Sequence, residues 1–180
     1  MNAPLTCIQL DTHGVKRTLQ AAIDRYPRLL ALRVTLHLPD TAIQPLDVLI
    51  TRFHAALRQH INAFIDIRQS EGKPAPPTQI GLLWGVERHG GIPMLLLVNQ
   101  DTVYSVRHDA AFQIQIDAVN ALIDQVWSSV IDPVNELAFV LSSEAFCMQV
   151  DRGDVEQYAS QYAALSNSMK SLASVVCTIP

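Results

Sequence analysis

The apolar run at residues 29–38 has the pattern of a β-strand with one polar face. Arg33, Thr35 and His37 alternate with aliphatic neighbours, and a period of two is the side-chain periodicity of a strand. Pro39 stops the run, since proline does not continue regular structure there. The pattern predicts a strand with one face towards a core and the other towards water.

Helical and strand periodicities alternate along the rest of the chain. The order α-β-α-β-β-α-β-β-α predicts an α+β fold, in which helices cover a central antiparallel sheet. A chain of 180 residues is expected to form a single domain over residues 1–180, because single cores hold up to about 200 residues. The other predicted helices and strands are helices at 14–26, 45–64, 112–130 and after Asp154, and strands at 80–88, 92–98, 136–141 and 145–150.

Composition excludes the disordered and fibrous classes, since 49% of the residues are hydrophobic and 17% are charged. Cys7, Cys147 and Cys177 are far apart and lack a CxxC spacing, which disfavours a disulfide framework and a zinc site. No secretory signal is recognisable, and no apolar segment reaches the ~20 residues of a membrane span. We therefore expect a cytoplasmic protein that does not bind membranes.

Positive charge is concentrated in the first part of a chain whose net charge is −4. Residues 1–70 contain 8 basic and 5 acidic residues, whereas residues 71–180 contain 5 basic and 12 acidic residues. A polyanion would meet the N-terminal half first. The candidate DNA-binding residues are Arg25, Arg28, Arg33, Arg52 and Arg58.

Five short segments occur in an order that is typical of one protein family. They are RVTLHLP at 33–39, FHAAL at 53–57, WGVE at 84–87, LLLVNQDTVY at 95–104 and Trp127. Over about residues 25–130, the chain resembles the replication-initiator-like proteins of filamentous phages and prophages. The resemblance implies an HUH-type rolling-circle endonuclease domain, whose antiparallel sheet has RRM-like topology.

The resemblance also implies a chemistry. Members of this family are expected to bind single-stranded or hairpin DNA. Two histidines on one strand would hold a divalent metal that polarises the phosphate, and a tyrosine on a C-terminal helix would attack it. Mg²⁺ or Mn²⁺ is therefore implied only for a cleaving enzyme, and otherwise no cofactor is expected.

The metal-binding positions of the family are replaced in this chain. Counting back from Asn99, the two histidine positions fall at Gly91 and Pro93, and neither side chain can ligate a metal. Glu87 and His89 are the remaining candidate metal ligands, although sites of this kind normally use three protein ligands. Metal-dependent cleavage is therefore expected to be impaired.

Tyr158 and Tyr162 are the candidate catalytic tyrosines. They lie one helical turn apart, and Leu165 occupies a position where the family commonly has lysine. Both also belong to the apolar stripe of the last predicted helix, and a buried tyrosine routinely packs its ring in a core. The sequence favours packing over catalysis.

Other polar and aromatic residues have two interpretations each. Arg33 contacts either Glu87 or a phosphate, and His37 belongs either to a solvated strand face or to a ligand site. Trp84 and Trp127 either stack on bases or pack in the core, and the surrounding apolar residues favour packing.

Three functions follow from these observations. The first is a catalytically impaired relative of the replication initiators that retains DNA-binding or regulatory activity in a prophage or other mobile element. The second is a protein–protein interaction module, either a homodimer or a partner of a phage or host protein, which the high apolar content suits. The third is residual DNA nicking through Tyr162 with Glu87 and His89.

Overall fold

The structure, a computed structural model, describes residues 12–38, 44–85, 91–103, 109–131, 146–170 and 177–179. These residues form an α+β fold, as the sequence predicts. The helices are α1 (Thr12–Arg25), α2 (Leu46–Ser70), α3 (Gln100–Val103), α4 (Asp109–Val130) and α5 (Val155–Lys170). The strands are β1 (Arg28–His37), β2 (Gly81–Trp84), β3 (Gly91–Asn99), β4 (Phe146–Asp151) and β5 (Cys177–Ile179).

The strands form one sheet in the order β4-β1-β3-β2-β5, and all of its pairings are antiparallel. The register of β1 with β3 runs from Leu29 opposite Asn99 to His37 opposite Gly91. Helix α2 connects β1 to β2, and α4 lies between β3 and β4. This is the βαββαβ arrangement of ferredoxin-like and RRM-like sheets, to which α1, α5 and β5 are added.

The first core lies between the sheet and the helices α2 and α4. Alternate residues of β1, from Leu30 to Leu36, face these helices and are buried. Phe53 of α2 and Trp127 of α4 meet edge to face, with ring centroids 5.6 Å apart. The indole Nε1 of Trp127 also donates a hydrogen bond to the carbonyl oxygen of His37 at 3.1 Å, which ties α4 to the end of β1.

The second core lies on the opposite face of the sheet, beneath α1 and α5. Leu29 and Ala31 of β1 point to this side and are fully buried, together with Leu165 of α5. The sequence predicts one wet face for β1, and this prediction is wrong for its first half. Only residues 33, 35 and 37 on that face remain half-buried, because α1 and α5 supply an additional layer that the alternation within one strand does not reveal.

Helix ends follow local sequence signals. Asp154 is predicted to cap the last helix, and its Oδ1 accepts a hydrogen bond from the backbone N–H of Gln157 at 3.1 Å. Helix α2 ends in a Schellman motif, in which the N–H of Lys73 donates to the carbonyl of Arg68 at 2.9 Å. Gly72 provides the left-handed conformation that this motif needs, with φ of 72°.

Several boundaries differ from the predicted ones. Residues Gln100–Val103, for which the sequence analysis predicts no helix, form the short helix α3, and a hydrogen bond from the Asp101 N–H to the Asn99 side chain at 3.0 Å stabilises its start. Strand β5 has no counterpart in the prediction. The predicted strand at 136–141 and the end of the predicted strand at 80–88 lie outside the described residues. Within the described ranges, no helix is both long and apolar enough to cross a membrane.

Candidate functional site

The two positions where the resemblance expects histidines lie beside polar residues of β1. Gly91 pairs with His37, and Pro93 pairs with Thr35. Directly opposed residues of an antiparallel pair share a sheet face, so both positions belong to the face that also bears Arg33. Among the described residues, His37 is therefore the histidine that lies next to the two positions where the resemblance expects histidines.

These residues do not fit the divalent metal of the replication initiators. Glycine and proline provide no ligand atoms on their side chains, and His37 would contribute one imidazole where about three protein ligands are needed. Glu87 and His89, the other candidate ligands, lie outside the described residues. Among the residues that are described, no three His, Cys, Asp or Glu side chains are grouped as a metal site.

The candidate tyrosines lie on α5, which packs on this same face of the sheet. Tyr158 and Tyr162 are half-buried against the second core, and their ring centroids are 6.2 Å apart with planes inclined by 33°. Residues 91, 93, 95 and 97 of β3 alternate onto the face that α5 covers. The tyrosines therefore lie on the same side of the sheet as residues 91 and 93, and both pack against the second core.

The five candidate DNA-binding arginines have different surroundings. The Nη1 atom of Arg28 contacts Asp101 Oδ1 at 2.6 Å, and its Nε lies 3.7 Å from Asp151 Oδ2. Arg52 is exposed and donates a hydrogen bond to Gln44 at 2.8 Å. Arg33 is half-buried on β1. Three of the five arginines therefore do not come together.

Arg25 and Arg58 both line one groove, of about 770 Å³, between α1, α2 and the start of β2. Arg25 is the last residue of α1. On α2, Arg58 lies one turn after His54 and one turn before Asn62, which places the three side chains on one flank of the helix. No carboxylate is present among the described residues of the groove, which are Thr18, Ala21, Ala22, Arg25, Tyr26, His54, Arg58, Asn62, Thr78, Gln79, Ile80, Gly81 and Leu97.

Two side chains hold the segment that leads into β2 against this groove. The hydroxyl of Tyr26 accepts a hydrogen bond from the Gln79 N–H at 2.6 Å and lies 3.3 Å from the Gln79 carbonyl, to which it donates. The Nε2 atom of His54 lies 3.2 Å from the Ile80 carbonyl oxygen. A carbonyl can only accept, so Nε2 carries the hydrogen and Nδ1 is left as an acceptor. These bonds give the groove a defined wall.

The charge of the groove comes from its two arginines. Burial lowers the pKa of His54 from its usual 6.5; the hydrogen bond to Ile80 acts in the opposite direction, and the Arg58 cation lowers the pKa further. His54 is therefore neutral at neutral pH. Two guanidinium groups beside neutral donors make a surface that is suited to anionic groups such as phosphates.

The sequence indicates Arg25 and Arg58 as candidate residues but does not indicate the groove that they share. Tyr26, His54, Asn62 and Gln79 were not predicted to belong to any site. The spacing of His54, Arg58 and Asn62 at four-residue intervals was a usable signal, because it marks a polar flank beside the apolar stripe of α2. No sequence pattern indicated that Tyr26 and Gln79 would form part of the groove, because they are 53 residues apart in the chain.

Both tryptophans are packing residues. Trp127 is fully buried and Trp84 is 3% exposed, as the apolar surroundings in the sequence favour. Base stacking on these rings is therefore not available in the folded protein. In the described part of the chain, the first and second cores lie on the two faces of the sheet, and the arginine groove lies beside them.

Comparison with known proteins defines the family without describing its activity. The model of an uncharacterised conserved protein family, UCP030791, matches residues 6–135. This match covers more than half of the chain, and the protein belongs to that family. No curated protein and no solved structure matches the chain.

Proposed function

We propose that this protein is a DNA-binding relative of the replication initiators of filamentous phages and prophages, and that it binds single-stranded or hairpin DNA without cleaving it. The observation that carries the proposal is the groove in which Arg25 and Arg58 lie together with no carboxylate among its described lining residues. Basic side chains in a groove bind the phosphate backbone, which supplies most of the affinity for nucleic acids.

The replaced metal-binding positions support binding over cleavage. Gly91 and Pro93 stand where the resemblance to the replication initiators expects the metal-binding histidines, and they pair with His37 and Thr35. A fold can keep its binding surface while its catalytic residues are lost, since function depends on the site and not on the fold. The sequence motifs that resemble the replication initiators, together with the βαββαβ sheet, support this ancestry.

The overall charge limits the mode of binding. A protein with a net charge of −4 does not attract nucleic acid through its overall charge, so binding depends on the local groove. We therefore propose moderate affinity with a steep dependence on salt. A cytoplasmic location belongs to the same proposal, because the widely spaced cysteines fit a reducing compartment.

The test is fluorescence anisotropy with a short labelled single strand and a labelled hairpin, at about 50 mM and about 200 mM salt. Saturable binding that weakens with salt is expected, with no change on adding Mn²⁺. The double variant Arg25→Gln/Arg58→Gln should lose two phosphate contacts. The slope of log K against log salt for the single strand should then become shallower by about 1.4, at about 0.7 per contact.

The matched control is Arg52→Gln/Arg152→Gln, which removes two exposed charges that do not line the groove. This control should bind DNA almost as tightly as the wild type. Equal losses in the two double variants would indicate a general charge effect and contradict the assignment of the groove. Absence of DNA binding by the wild type at low salt would overturn the proposed function.

Residual nicking is the second candidate, since α5, which carries Tyr162, packs on the same face of the sheet to which residues 91 and 93 belong. The Tyr162 phenolate would attack phosphorus and displace the 3′ oxygen, giving a 5′-phosphotyrosine and a 3′-hydroxyl. A covalent adduct with a labelled hairpin in Mn²⁺, seen on a denaturing gel and lost in Tyr162→Phe, would support this candidate. Nicking that is unchanged in Tyr162→Phe would exclude Tyr162 as the nucleophile.

A further inference from the structure

A second cavity, of about 380 Å³, lies between α2 and α4 above the first core. Its residues are distinct from those of the arginine groove. The floor is formed by β1 and β3, and the walls are formed by the two helices. The apolar lining residues are Leu32, Leu57, Ile61, Phe64, Leu96, Val98, Val103, Ala118, Val119, Leu122 and Ile123.

The cavity results from unequal filling of the space between the two helices. At one end, Phe53 and Trp127 pack edge to face and close the gap. Towards the other end, the facing residues are aliphatic, and Phe64 is 41% exposed instead of filling the space. Protein interiors rarely contain voids much larger than a water molecule. At about 30 Å³ per water-sized volume, this cavity has room for roughly a dozen non-hydrogen atoms.

Three polar side chains of the described residues line the cavity, and they belong to Arg68, His60 and Thr102. The guanidinium of Arg68 stacks over the Phe64 ring at 5.5 Å from the ring centroid, and its Nη2 donates to the Pro74 carbonyl at 3.2 Å. The imidazole of His60 and the hydroxyl of Thr102 also belong to the lining, and the described lining residues include no carboxylate. An apolar chamber with a guanidinium beside it complements a molecule that has an apolar body and one anionic end.

We propose that this cavity binds a small amphiphilic carboxylate, with a linear apolar body of about ten carbon atoms among the aliphatic residues and its carboxylate beside Arg68. The volume suits an apolar body of about this size, and the Arg68 guanidinium, whose charge also acts on Glu71, favours an anionic head group. This proposal does not depend on DNA binding, because no residue lines both cavities.

Isothermal titration calorimetry of the full chain with decanoate and decanol tests the proposal. Decanoate should bind with one-to-one stoichiometry and a Kd on the order of 10–100 µM, as expected for about a dozen well-buried atoms. Decanol should bind more weakly, because it lacks the charge. Absence of decanoate binding, or equal affinity for the two ligands, would overturn the proposal.

Two variants locate the site. Arg68→Gln should weaken decanoate binding about 10-fold and decanol binding much less, since it removes an ion pair that only the carboxylate can form. Arg52→Gln on the same helix is the matched control, because Arg52 is exposed and does not line the cavity. A decanoate preference that survives in Arg68→Gln would place the head group elsewhere and contradict the proposal.

Leu122→Trp should fill the cavity and abolish binding of both ligands. Its thermal unfolding midpoint is measured alongside to show that the chain is folded, and Val119→Phe replaces it if the tryptophan variant is unfolded. Ligand binding that remains at wild-type affinity in the folded variant would show that the ligand occupies another site.

Discussion

Arg25 and Arg28 are three residues apart in the sequence, but among the described residues only Arg28 of the two contacts carboxylates. Arg28 lies between the carboxylates of Asp101 and Asp151, whereas Arg25 lines a groove with no carboxylate among its described residues. A guanidinium that already contacts two carboxylates is poorly placed to gain from a phosphate. The number of arginines in a segment therefore does not indicate how many of them are available for binding.

Arg28→Gln should leave DNA affinity within about twofold of the wild type and lower the free energy of unfolding by about 1 kcal/mol, since the pairs are only partly exposed. Chemical denaturation measures the stability, and anisotropy measures the affinity. The double-mutant cycle with Asp101→Asn isolates the ion pair. A large loss of DNA affinity at unchanged stability would show that Arg28 contacts DNA.

His54 makes stability depend on pH. Burial lowers the pKa of this imidazole below its unfolded value of 6.5, so the unfolded chain takes up the proton first. Stability is then fully present above about pH 6.5 and falls as the pH decreases through the interval between the unfolded and folded pKa values. The free energy of unfolding of the wild type should therefore decrease between about pH 7.5 and about pH 5.

The variant His54→Gln tests this dependence, because its amide can still donate to the Ile80 carbonyl but does not titrate in this range. Its stability should vary less with pH than that of the wild type. His60→Gln is the control, since His60 is exposed on the same helix. Identical pH profiles for the wild type and His54→Gln would contradict the assignment.

At the scale of elements, α2 serves three surfaces of the molecule. The stripe that contains Phe53 belongs to the first core, the flank that contains Arg58 lines the groove, and Phe64 lies beside the apolar cavity. The apolar periodicity of the sequence predicts only the first of these surfaces. The other two depend on which elements lie beside the helix.

Trp127 and Phe64 provide a matched pair of aromatic residues on the two packed helices. Trp127→Ala should cost about 3–5 kcal/mol of unfolding free energy, because it opens the core and removes the hydrogen bond to His37. Phe64→Ala should cost about 1 kcal/mol or less, since the ring is 41% exposed and its main polar contact is with Arg68. Comparable costs in denaturation experiments would contradict the described packing.

At the scale of the whole molecule, the sheet is covered on both faces. In RRM-type RNA binding, bases stack on aromatic side chains of the sheet, whereas here α1 and α5 lie over one face and α2 and α4 over the other. Stacking of bases on Trp84 or Trp127 is therefore unavailable, and the helix-lined groove replaces it in our proposal.

This arrangement predicts the pattern of amide hydrogen exchange. Strand β3 lies between β1 and β2, and all of its residues are buried, so its amides should exchange most slowly in the protein. Helix α5, which has many exposed positions, should exchange faster. Exchange followed by mass spectrometry measures both segments, and faster exchange in β3 than in α5 would contradict the central position of β3.

Much of the fold was predictable from local patterns. Prolines and apolar periodicity located α1, β1, α2 and α4, and the capping signal at Asp154 located the start of α5. Strand β5 was not predictable, because three residues provide too little periodicity. The second layer over β1 was also missed, because the odd positions from Arg33 onwards are polar while Leu29 and Ala31 on the same face are buried.

The sequence by itself determined the α+β class and the order of most elements, because both depend on residue type and short-range spacing. Only the tertiary structure decided which charges lie together. It placed Arg25 with Arg58 and paired Arg28 with Asp101, which is 73 residues away. The physical reason is that electrostatic interactions depend on distance in space, and the packing of helices on the sheet brings distant segments within that range.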